Sequence, residues 1–120
     1  YNQGNVSSIQ LPFDKITEII DDAVYMGVNR ICITGGEPLV RKDIRDILRY
    51  IDGKNIECEL FTNGFLLDEE YCEFLNDVHV SKMRISLDGK DAETHDTFRN
   101  KKGSFNKVIN AIKKLKELYF

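Results

Sequence analysis

The chain has 120 residues, 42% of them hydrophobic and 31% charged, and carries a formal net charge of −3. That suffices for one domain with its own core, while 17 basic against 20 acidic residues give no field for holding nucleic acid or a membrane surface by bulk charge. No apolar run approaches the ~18 residues of a spanning helix, and no basic stretch leads into an apolar one at the start, so neither a membrane span nor a secretory signal is expected.

Pro12 suits a first helical position, and Ile16, Ile19, Ile20, Ala23 and Val24 keep helical spacing up to a stop at Gly27, so residues 12–26 read as an amphipathic helix. Arg30 to Thr34 is a short β-rich run ending in Gly35-Gly36. Val40, Ile44, Ile47, Leu48 and Ile51 form a second helical stripe, closed by Gly53. Ile56 to Phe61 reads as a second strand, ending in Thr62-Asn63-Gly64. Asp68 can cap a third helix whose first turn carries Glu69 and Glu70, where the helix dipole favours them. Met83 to Leu87 reads as a third strand, ending in Asp88-Gly89. Ser104 can cap a fourth helix with Phe105, Val108, Ile109, Ile112, Leu115 and Tyr119 on one face.

The strand ends ICITGG, ELFTNG and RISLDG lie over one another, closing on Gly36, Gly64 and Gly89. This is a βα repeat, and strands separated by helices pair in parallel with right-handed crossovers. The expected fold is therefore α/β: a partial TIM-type (β/α) barrel of about three βα units of parallel sheet, preceded by a helix. A whole barrel usually takes ~250 residues. Residues 1–120 are accordingly expected to be a single domain that is an N- and C-terminally truncated piece of a larger core.

Polar and glycine residues collect at the C-terminal ends of the strands, the edge that carries the site in parallel α/β folds. Thr34-Gly35-Gly36-Glu37-Pro38 is the densest group. Two glycines let a ligand approach the backbone, Glu37 adds a carboxylate, and Pro38 stiffens the exit. Thr62-Asn63-Gly64 and Ser86-Leu87-Asp88-Gly89 supply short polar side chains at the next two tips, suited to a ligand's hydroxyl, amine or carboxylate, or to Asx and hydroxyl turns. The loop over residues 88–103 brings Arg99, the one guanidinium there able to reach over the rim and pair with a carboxylate. Cys32, Cys58 and Cys72 fit neither a disulfide framework nor a compact metal clip, and read as reduced thiols of a cytoplasmic protein. No Walker loop, HExxH or GxGxxG is present.

In sequence order, ITGGEPLVRKDI, LFTNGFLL and RISLDGKDAETHDTFRNKKGSFNKVINAIKKLKE resemble the radical S-adenosylmethionine (SAM) superfamily, nearest its branch of maturases and the molybdenum-cofactor cyclase. The resemblance runs from about Leu11 to Leu118. It implies an enzyme that cleaves S-adenosylmethionine reductively at a [4Fe–4S] cluster, generating a 5′-deoxyadenosyl radical for modification of a peptide, protein or cofactor. Electrons would come from a donor such as flavodoxin or ferredoxin. By the same resemblance, Gly35, Gly36 and Glu37, followed by Pro38, would take the methionine ammonium. Ser86 and Arg99 would hold its carboxylate, and Thr62, Asn63 and Asp88 would line the ribose and methionine region. One departure is plain: the family's CxxxCxxC is absent, and Cys32 within a strand cannot replace it. Relatives commonly read CxxxCxxCYN, and this sequence opens Tyr1-Asn2, so the cluster ligands are expected upstream and this piece alone is expected to be inactive. The rival reading is a non-catalytic βα-repeat module that binds a small anionic metabolite or a partner protein.

Overall fold

The computed structural model describes residues 11–86 and 104–119. Helix α1 spans Phe13–Tyr25, strand β1 Arg30–Ile33, a 3₁₀ turn Pro38–Val40, α2 Ile44–Gly53, β2 Glu57–Thr62, α3 Glu69–Asp77, β3 Lys82–Ile85 and α4 Ser104–Tyr119. The three strands form one parallel sheet in the order β1-β2-β3. Arg30 pairs with Glu57 and Ile33 with Leu60, while Glu59 pairs with Lys82 and Thr62 with Ile85.

Alternation along the strands divides the sheet into two unlike faces. Ile31, Ile33, Cys58, Leu60, Met83 and Ile85 share one, and all of them join a single apolar cluster with Ile20 of α1, Leu48 and Ile51 of α2, Cys72 and Leu75 of α3, and Ala111 of α4. The helices thus gather over one face, as right-handed crossovers require. The opposite face carries Arg30, Cys32, Glu57, Glu59, Phe61, Lys82 and Arg84. There Glu59 is buried between two guanidiniums, 3.1 Å from Arg30 and 3.4 Å from Arg84. Burial by itself would raise the Glu59 pKa, but the hydrogen bonds from Arg30 and Arg84 outweigh it and hold the carboxyl below its ordinary value. Sheet with helices on one face and charged residues on the other is part of a (β/α) barrel, as the repeat predicts.

Three local details differ from the sequence reading. Pro12 lies just before α1 rather than in it; its extended backbone leaves its carbonyl to accept from the Lys15 and Ile16 amides. Val40 is not part of the α2 stripe. It is 64% exposed, and Leu39 is the buried residue, because Pro38 starts a separate 3₁₀ turn whose Leu39 amide donates to the Glu37 carboxylate. Helix α2 ends at Gly53 as read, and the left-handed residue that follows is Asn55, at φ 58°. Strand β3 ends at Ile85, and Leu87 lies outside the described residues. Elsewhere local signals suffice: Asp68 Oδ1 accepts from the Tyr71 amide at 2.8 Å and caps α3. No described helix is long and apolar enough to cross a membrane.

Candidate functional site

Because β1, β2 and β3 are parallel neighbours, their C-terminal tips form one rim. Gly35 and Gly36 follow β1, Thr62 and Asn63 close β2, and Ser86 follows β3. Two contacts tie the tips together. The Glu37 carboxylate reaches from the β1 tip to the β2 tip, and the Ser86 amide donates to the Thr62 carbonyl at 3.2 Å.

Glu37 is the hub. Its Oε1 accepts from the Asn63 amide at 2.7 Å. Its Oε2 accepts from the Thr62 hydroxyl at 2.7 Å and from the Leu39 amide at 3.0 Å. Three donors on one carboxylate leave little acceptor capacity for a ligand. The Thr62 hydroxyl has its one proton committed. It donates to Glu37 and accepts from the Gly64 amide at 3.1 Å, in a residue only 5% exposed. Asn63 Oδ1 accepts from the Phe65 amide at 2.8 Å, an Asx turn in which the side-chain NH₂ has no acceptor among the described residues.

The register gives this arrangement a further meaning. At the start of the sheet the Glu57 amide donates to the Asn29 carbonyl, on the pairing Arg30 to Glu57. Continued by two-residue steps, that ladder would bring the Asn63 amide to the Gly35 carbonyl. The amide goes to Glu37 instead. Gly35, at φ 124°, turns the chain out of the ladder in a conformation that favours glycine. Both glycines are exposed, and among the described residues nothing donates to either carbonyl. The rim therefore presents backbone acceptors without partners among the described residues, which suits a cation with N–H donors and no acceptor.

Gly64 serves packing. It has φ 78°, and a Cβ there would lie 3.0 Å from Ile85 Cγ2 and 3.1 Å from Val108 Cγ2, so β3 and α4 close directly over its backbone. Pro38 is half-buried and opens the 3₁₀ turn. Ser86 is exposed at the third tip. Asp88 and Arg99 lie outside the described residues. The sequence reading missed the Asn63 and Leu39 amides as partners of Glu37. Backbone donors leave no residue-type signal, and only the strand pairing would have identified them.

The cysteines are dispersed. Cys32 is exposed on the charged face, whereas Cys58 and Cys72 are buried on the helix side. Burial pushes the Cys58 thiol up to about 12 and the Cys72 thiol up to about 11, the reverse of what a thiolate ligand needs. Among the described residues no group of three or more His, Cys, Asp or Glu is placed to hold a metal ion. A groove of about 550 Å³ between β3 and α4, lined by Val80, Met83, Ile85, Leu115 and Tyr119, is set apart from the tips of β1 and β2.

The sequence and the fold have counterparts among known proteins. The family model described as the Radical SAM superfamily matches residues 2–120. An AdoMet-dependent heme synthase of Methanosarcina barkeri is 35% identical over 98% of this chain and 34% of its own length. A probable GTP 3′,8-cyclase of Archaeoglobus fulgidus is 38% identical over 91% of this chain and 36% of its own. A PqqA peptide cyclase of Granulibacter bethesdensis is 28% identical over 92% and 30%. A solved structure of native anSMEcpe with bound AdoMet superposes with a TM-score of 0.73 at 24% identity, covering 99% of this chain and 36% of that one, a likeness of fold. The chain spans about a third of the length of the curated relatives it matches. With a matching family model over nearly every residue, the chain belongs to the radical SAM superfamily.

Proposed function

We propose that this chain is the part of a radical SAM enzyme that receives the methionyl end of S-adenosylmethionine. The observation that carries the reading is the pair of carbonyls at Gly35 and Gly36, exposed on the β1 tip and without a donor among the described residues. An ammonium offers donors only and needs such acceptors. The Asn63 NH₂ and the Ser86 hydroxyl, one tip and two tips away, are donors suited to a carboxylate or ribose oxygen. Arg99 would add a charge-assisted bond to that carboxylate, and Asp88 would line the same region.

When bound, S-adenosylmethionine and a [4Fe–4S] cluster together supply one-electron cleavage of a carbon–sulfur bond. The described residues fit the first of these groups and not the second. Buried, high-pKa thiols on the wrong face of the sheet do not make a cluster site. Ligands for the cluster would therefore come from elsewhere in the whole protein, with a flavodoxin or ferredoxin as its electron donor. The substrate would also be chosen elsewhere. Relatives named as a heme synthase, a GTP cyclase and a peptide cyclase match the same third at similar identity.

The test is equilibrium dialysis of labelled S-adenosylmethionine against the full-length protein after anaerobic iron and sulfide reconstitution, followed by reduction and detection of 5′-deoxyadenosine. Saturable binding and product are expected. A reconstituted, folded protein that binds no S-adenosylmethionine would overturn the reading.

A further inference from the structure

We propose that Thr62 is a positioning residue that acts through Glu37 to free the Gly35 carbonyl for the ligand ammonium. This rests on the S-adenosylmethionine reading above and changes the role of Thr62 from ligand contact to support. The Thr62 hydroxyl has one proton and gives it to Glu37 Oε2 at 2.7 Å; it accepts from the Gly64 amide at 3.1 Å. A ligand acceptor could take a hydrogen bond from this buried group only by displacing Glu37.

The second step is the ladder. The Asn63 amide would meet the Gly35 carbonyl if the β1–β2 register continued. A carbonyl used that way has an internal donor and is a weaker acceptor for a ligand. Glu37 Oε1 takes the amide at 2.7 Å instead. The carboxylate can stay in that position only if its other oxygen is held, and Thr62 and the Leu39 amide hold it. Thr62 thus sets the carboxylate, the carboxylate replaces a backbone acceptor, and the released acceptor faces no competing donor among the described residues.

Thr62→Val keeps the side-chain shape and removes the hydroxyl, leaving Glu37 Oε2 with the Leu39 amide alone and the Gly64 amide without its acceptor. Two measurements on the full-length protein decide the matter. The first is the dissociation constant for S-adenosylmethionine on the reconstituted protein. Thr62→Val should weaken binding about tenfold, and Thr62→Ser should recover most of it. In a Glu37→Ala background Thr62→Val should add less than about twofold, because its route of action is already gone. The second is hydrogen exchange of the Asn63 amide without ligand, which should speed up about tenfold in Thr62→Val as the bond to Glu37 loosens.

Wild-type affinity in Thr62→Val, or a full tenfold loss that persists in the Glu37→Ala background, overturns the proposal; the latter would mean direct contact. Unchanged Asn63 exchange overturns it as well. If the wild-type protein binds no S-adenosylmethionine, the functional reading fails, while the exchange experiment still tests the clamp. Should Thr62→Val not fold, Glu37→Asp withdraws the carboxylate by one methylene with Thr62 intact. It carries the same two expectations, and wild-type values for both would refute the idea.

Discussion

Replacing Gly64 by alanine isolates the packing of the rim from its backbone geometry. Gly64 and Gly27 both have positive φ, 78° and 94°. An L residue at either pays a left-handed cost of about 1–2 kcal/mol. They differ in surroundings: a Cβ at Gly27 meets nothing within 4 Å, whereas one at Gly64 lies 3.0 Å from Ile85 Cγ2 and 3.1 Å from Val108 Cγ2. Val108 is fully buried and Ile85 belongs to the strand, so neither can simply swing aside. Forcing a methyl into a packed contact adds about 1–3 kcal/mol. Gly64→Ala should therefore cost about 2–5 kcal/mol, against about 1–2 kcal/mol for Gly27→Ala. The comparison is made by urea unfolding of the full-length variants, followed by far-ultraviolet circular dichroism. Equal losses at the two positions would refute the close approach of β3 and α4 over Gly64, and with it the geometry of the second and third tips.

Two other outcomes test the sheet. Glu59 has a folded-state pKa below its ordinary value, so its contribution is present above the unfolded carboxyl pKa and is lost as pH falls through the folded one. The stability difference between wild type and Glu59→Gln, read from urea midpoints, should be largest near neutral pH and shrink below about pH 4; a gap that grows on acidification would contradict the Arg30–Glu59–Arg84 arrangement. Labelling of the folded protein with a thiol reagent at pH 8 should modify Cys32 readily and spare Cys58 and Cys72 until urea is added, and rapid labelling of Cys58 would show that the face under the helices is open.

Much of the fold is written locally. Helical spacing of isoleucines and leucines, a β-rich run before each glycine pair or turn, and Asp68 ahead of two glutamates suffice to order the βα units and to place the three tips on one edge. These signals are local because amphipathic periodicity and capping depend on residues within a turn or two. The same holds for the Asx turn at Asn63. The radical SAM motifs also lie in the sequence, since each is a contiguous tip.

Tertiary structure alone decided what the tips do to one another. Glu37 could be taken for a ligand group because a carboxylate beside two glycines has no visible partner in sequence. Its partners are amides and a hydroxyl brought near by parallel pairing of β1 with β2. Glu59, a buried acidic residue within β2, has its meaning from Arg30 and Arg84 on the two flanking strands. Ala111, outside the apolar face read for α4, is buried there because burial depends on the neighbour across the interface, and that neighbour is distant in the chain.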